Sequence, residues 1–126
     1  TDDRELVQLL FQHVNGEVRQ GAAVGLKAAA LKGADLSAHG RILGEALEDE
    51  CGGVVFHVMR ALLHPWSRTR LETAVPFLQR ALARPEYSDH GWVGNEPLYD
   101  RDTLSGESLA QDAATVLKRW GVQPAE

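Results

Sequence analysis

The chain has 126 residues, 44% of them apolar and 25% charged, a balance that suits one globular domain and excludes a disordered polyelectrolyte. Its formal charge of −5 and pI near 5.5 weigh against sequence-independent nucleic-acid binding, which needs clustered Lys and Arg. The single cysteine, Cys51, rules out an intrachain disulfide and a multi-thiolate metal site. No apolar run is long enough to cross a bilayer and no basic-then-apolar leader is visible, so a cytoplasmic location is expected.

In chain order the periodicity predicts six helices, over about 3–14, 17–32, 38–49, 53–64, 70–84 and 106–120. Asn15-Gly16 stands where an N-cap belongs, and Gly33 and Gly121 stand where left-handed residues close a helix. Pro65 and Pro124 follow helix ends. Pro76 is compatible with the fifth helix only if that helix starts near Thr73, which leaves the proline in the first turn. His64-Pro65-Trp66 forms the corner after the fourth helix, with the histidine capping and the tryptophan packing.

The six helices repeat. Val18, Ala22 and Leu26 share one helical face, and 36 residues on lie Val54, Val58 and Leu62 with the same spacing. A further step of 55 reaches Leu109, Ala113 and Leu117. The preceding helices repeat independently, since Leu6 and Leu10 map by 36 onto Ile42 and Ala46, then by 36 again onto Leu78 and Leu82. The 19 surplus residues of the longer step fall between the fifth and sixth helices. Hairpins of about 3–33, 37–64 and 70–121 follow, with an insertion over 86–104.

The stretch from Asn15 to Leu26, with its polar cap, Val18-Arg19, Ala22-Ala23 and Leu26, resembles the second helix of a HEAT repeat, including the short bacterial kind. Leu109 to Leu117 looks like the same helix without the arginine, and Val54 to Leu63 keeps the apolar spacing alone. The resemblance implies an all-α fold, a short right-handed α-solenoid of three HEAT-like hairpins. It names an architecture rather than a task. Small residues fit that packing: Ala22, Ala23, Ala113 and Ala114, with Gly21, Gly25, Gly40 and Gly44 inside helices. Each glycine costs about 0.5–1 kcal/mol against alanine, which close helix contact is expected to offset.

Residues 86–104 carry no helical or strand period and are rich in turn formers. Tyr87, Trp92 and Tyr99 give this insertion the composition favoured at interfaces, or that of a flap sealing the end of the array.

Candidate chemistry is sparse. His13, near the end of the first helix, is expected to be partly buried, and His39 exposed. His57 and Arg60 lie i, i+3 on the fourth helix beside its apolar stripe, where both can line a groove. Asp89, His90, Glu96, Asp100 and Asp102 are types that bind metals, but Leu104 stands where a calcium loop needs another oxygen, and no metal or cofactor is expected. Cys51 precedes the fourth helix and is expected to act as a small hydrophobe rather than a thiolate. No phosphate loop, nucleophile elbow or paired-histidine motif occurs.

The expected function is therefore a non-catalytic protein-binding module. Its groove would be lined by the second helices through Arg19, Lys27, His57, Arg60 and Lys118, with Tyr87, His90, Trp92 and Tyr99 of the insertion as one wall. Charge favours a basic protein partner, and a bacterial toxin bound by an immunity-type inhibitor is the narrower version. The alternative from another class is a small metal-dependent or acid–base enzyme using Asp89, His90 and His57.

Overall fold

A computed structural model describes residues 3–33, 36–63, 71–84 and 109–122, with side chains from residue 7 onward and excepting Ser37. The described residues form six α-helices and no strand: α1 (Asp3–Phe11), α2 (Gly16–Leu31), α3 (Gly40–Ala46), α4 (Gly52–Leu63), α5 (Val75–Ala81) and α6 (Leu109–Arg119). Short 3-10 turns at Ser37–His39 and Glu72–Ala74 lead into α3 and α5. The insertion at 86–104 and the corner at His64-Pro65-Trp66 lie outside the described residues.

Local chemistry explains the helix ends. The Asn15 side chain accepts from the Glu17 amide at 2.8 Å, satisfying one of the donors that a helix start leaves open. Gly33 and Gly121 take φ of 90° and 73°, the left-handed conformation that only glycine adopts without strain. Pro76 sits in the first turn of α5, where no intrahelical N–H is required. The first, third and fifth helices are shorter than their periodicity suggests. α1 stops at Phe11, and the chain enters α3 and α5 through 3-10 turns.

α4 is apolar nearly all round, and ten of its 12 residues are buried. Phe56, Val58, Met59 and Leu62 have no accessible surface. This covering requires neighbours on several sides, and α2, α3 and α6 supply them. α1 packs on α2 and α3, and α5 on α3 and α6. The odd-numbered helices thus touch in succession, as do the even-numbered ones.

Residues 36 apart share roles at the turns as well. Asn15 and Cys51 each offer a carbonyl to the amides three and four residues on, at 3.1–3.2 Å and 3.1–3.3 Å. Each also donates its own amide to the side chain two residues back, Asn15 to His13 Nδ1 at 3.0 Å and Cys51 to Asp49 Oδ1 at 2.8 Å. His13 is consequently an exposed turn residue rather than the partly buried one its position suggests, and His39 is half-buried rather than exposed.

The two glycine pairs part company. A Cβ on Gly44 would meet the Phe77 ring at 2.5 Å and one on Gly40 would meet Thr73 Oγ1 at 2.5 Å, so α5 and the turn before it rest on the bare backbone of α3. Gly21 and Gly25 are exposed, and a Cβ on either meets nothing within 4 Å. Among the described residues nothing supplies the contact expected to offset their cost. Opposite effects follow for alanine: Gly25→Ala is expected to stabilise the fold by ~0.5–1 kcal/mol, and Gly44→Ala to destabilise it by ~1–3 kcal/mol through displacement of Phe77. Urea midpoints in dilute solution check both signs.

Candidate functional site

Arg19 leaves α2 and folds back over the α1–α2 turn. Its Nη1 donates to the carbonyls of His13 at 2.7 Å and Val14 at 3.1 Å. Nε and Nη2 straddle the Asp49 carboxylate at 2.8 and 3.3 Å, the two-pronged geometry that suits a guanidinium. Asp49 in turn holds the Cys51 amide at the entry to α4. Arg19 and Asp49 side chains are only 12% and 11% exposed, so this pair ties the first turn to the equivalent turn of the next hairpin in partial shelter from solvent. The hydrogen bond to Asp49 raises the Arg19 pKa above its ordinary value.

Cys51 completes the cluster. Its Sγ accepts from Arg19 Nη2 at 3.3 Å, and the residue is 5% exposed. Burial pushes the thiol pKa up, outweighing the nearby guanidinium, and Asp49 adds to the rise. The group is a protonated core thiol rather than a nucleophile.

Other arginines bridge hairpins in the same manner. Arg80 pairs with Glu48 at 2.7 Å and stacks 4.6 Å over Phe77. Arg84 Nη1 donates to the Leu47 carbonyl beyond α3, and Arg119 Nη1 to the Leu63 carbonyl that ends α4. These bonds satisfy carbonyls a helix end leaves open and place a cation at the negative end of the dipole.

The open polar groove lies between α4 and α6. Arg60 and Leu63 form one wall, and Gln111, Asp112, Thr115 and Arg119 the other, around roughly 530 Å³. Arg60 lies 5.6 Å over the Phe56 ring, which holds the guanidinium against the groove wall. Asp112 is buried at 7% exposure, and Thr115 Oγ1 donates to the Gln111 carbonyl at 3.0 Å. The site therefore offers a cationic rim over a buried carboxylate, with no grouping among the described residues of three or more side chains able to hold a metal.

The residues singled out from sequence distribute unevenly. Arg60 lines the groove. Arg19 is engaged in the inter-hairpin tie. His57 has no accessible surface, which removes it from any groove wall, and its ring instead meets Phe56 edge-on at 5.6 Å. α2 packs against α4 more extensively than α6 does, so the buried arc of α4 is wider than one stripe. Lys27 is half-buried and Lys118 exposed. Tyr87, His90, Trp92 and Tyr99, with Asp89, Glu96, Asp100 and Asp102, lie outside the described residues. Sequence reasoning missed Asp49 and Asp112. Asp49 had one available signal, its position 36 after His13 in the matching turn.

A second cleft, of about 400 Å³, runs between α1 and α2 and is almost wholly apolar. No described helix is long and apolar enough to cross a membrane.

Two consequences can be measured. Arg19→Ala is expected to lose ~1.5–3 kcal/mol, because it leaves a sheltered carboxylate without its charged partner. The raised thiol pKa means alkylation of native Cys51 at pH 8 should be far slower than in denaturant. Linkage gives a matching sign: the thiol's contribution is present below its unfolded pKa and falls as pH rises through that value. Rapid native alkylation would contradict the protonated buried state.

Compared with protein-family models, curated proteins and solved structures, the chain finds no match.

Proposed function

We propose that this chain is a non-catalytic protein-binding module of the HEAT-like helical-repeat kind, with its partner seat in the groove between α4 and α6. The observation that carries the reading is the groove itself, an open cleft between two second-of-hairpin helices with Arg60 and Arg119 at its rim. Supporting it are the shared roles of residues 36 apart and the succession of contacts along each set of helices. Stacked hairpins of this type produce extended concave surfaces used for recognition. Arg60 and Arg119 suit carbonyl or carboxylate groups of a bound segment, whereas the chain-wide charge of −5 steers a basic partner toward the protein. The immunity-type version, an inhibitor of a basic bacterial toxin, draws only on that charge and on small size.

The ionisable groups in the described region favour binding over chemistry. Cys51 is a buried thiol, His57 lies in the core, and Arg19, Arg80 and Asp49 are taken up in ties between hairpins.

The test is affinity capture from host extract with mass-spectrometric identification. Arg60→Glu combined with Thr115→Arg, both on the groove wall, is expected to abolish capture of a partner held by the parent chain, with far-ultraviolet circular dichroism unchanged. A parallel Tyr87, Trp92 and Tyr99 triple alanine variant asks whether the insertion contributes. Undiminished capture by the groove variant moves the seat elsewhere.

A further inference from the structure

The junction between α1 and α3 holds a cavity of about 170 Å³. Phe11, Ile42 and Ala46 form its apolar side, with Phe11 and Ala46 buried. Gln8, Gln12, Glu45 and Asp49 form the rest, two amides and two carboxylates with no cation among them. Asp49 is the sheltered carboxylate, and its Oδ2 accepts from Arg19 Nε at 2.8 Å, which leaves that oxygen further acceptor capacity. Glu45 is the exposed one, and Arg41 Nε stands 4.0 Å from it, beyond hydrogen-bond reach. Acceptors and negative charge thus surround an aromatic and aliphatic floor.

The chain itself shows what such a place accepts. Gln8, Phe11 and Gln12 stand 36 residues before Gly44, Leu47 and Glu48. α5 and the residues just after it meet those three with one aromatic ring and two guanidiniums. Phe77 lies on Gly44, and Arg80 stacks 4.6 Å over that ring while donating to Glu48 at 2.7 Å. Arg84 donates to the Leu47 carbonyl. α3 has no equivalent to offer α1, since Gly44 stands 36 before Arg80 and Glu48 stands 36 before Arg84. The α3–α5 junction is closed by arginines, whereas the α1–α3 junction keeps its acceptors and lacks the guanidinium.

We infer that this cavity is an anchor site for an arginine side chain of a basic protein partner. The guanidinium is held by Glu45, Asp49 and the two glutamine carbonyls, and its methylene stem covers Phe11 and Ile42. Arginine suits the place better than lysine, because a guanidinium is the more weakly hydrated cation and its planar fork bridges several acceptors. Arg19, which satisfies Asp49 and two backbone carbonyls together, is a second instance in the same chain. The cavity shares no lining residue with the α4–α6 groove, so occupation of one does not require the other.

Titration of the isotope-labelled chain with Nα-acetylarginine amide, followed through backbone amide chemical shifts, tests it. Saturable shifts are expected at Gln8, Gln12, Glu45 and Asp49, with a dissociation constant in the millimolar range. Nα-acetylcitrulline amide, of the same shape without the charge, should produce none. Glu45→Lys should weaken binding at least about tenfold while the rest of the spectrum stays in place. Should that variant disturb α3, Gln12→Lys makes the same charge test from the opposite wall. Equal shifts with the citrulline compound, shifts that rise without saturation, or binding unmoved by both lysine variants would overturn the inference.

Discussion

Burial of α4 governs how the rest of the chain is arranged. A helix with ten of 12 residues out of solvent cannot lie on a surface, and it draws α2, α3 and α6 around it. Each fully buried side chain of the Val, Leu or Phe kind contributes roughly 1.5–3 kcal/mol relative to exposure. The five such residues of α4, Val54, Val55, Phe56, Val58 and Leu62, together with Met59 therefore supply far more than any surface pair. The outer helices are correspondingly free to be short, and α3 and α5 have 7 residues each. They hold their places through contact with one another and through the glycine floor of α3.

Arginines tie neighbouring helices together near both ends of α4. Arg19 joins the first turn to the second, Arg80 and Arg84 reach back to Glu48 and the Leu47 carbonyl, and Arg119 reaches the end of α4. Most of these are not ion pairs in the ordinary surface sense. A guanidinium has five donors in a fixed plane, so one side chain can satisfy the carbonyls of a helix end and a carboxylate together. The Glu48 carboxyl is held below its usual pKa by the hydrogen bond from Arg80. Its contribution is present above the unfolded pKa and lost as pH falls through the folded one. Exposure of both side chains keeps that contribution small.

The same packing accounts for where clefts remain among the described residues. Between α4 and α6 lies a polar groove, whereas α2 packs extensively on α4, whose His57 has no accessible surface. Between α1 and α2 the described residues leave an apolar cleft.

The amino-acid sequence by itself determined the helices and their period. Asn15, Gly33, Gly121 and Pro76 act through bonds and dihedrals within a few residues, so their effects on helix ends are local and legible. The 36-residue repeat is equally legible, because positions that share a face must share a chemistry. What periodicity leaves open is which faces are covered, since that depends on neighbours brought from elsewhere in the chain. His57 looked like a groove residue until its full burial was seen, and Arg19 looked like one until Asp49, 30 residues away, was found beside it. Gly21 and Gly40 were indistinguishable as helical glycines, and only the packing of α5 on α3 separated an occupied floor from a bare one. Burial and pairing across hairpins are properties of the tertiary arrangement, because the energy of removing a group from water depends on what replaces the water.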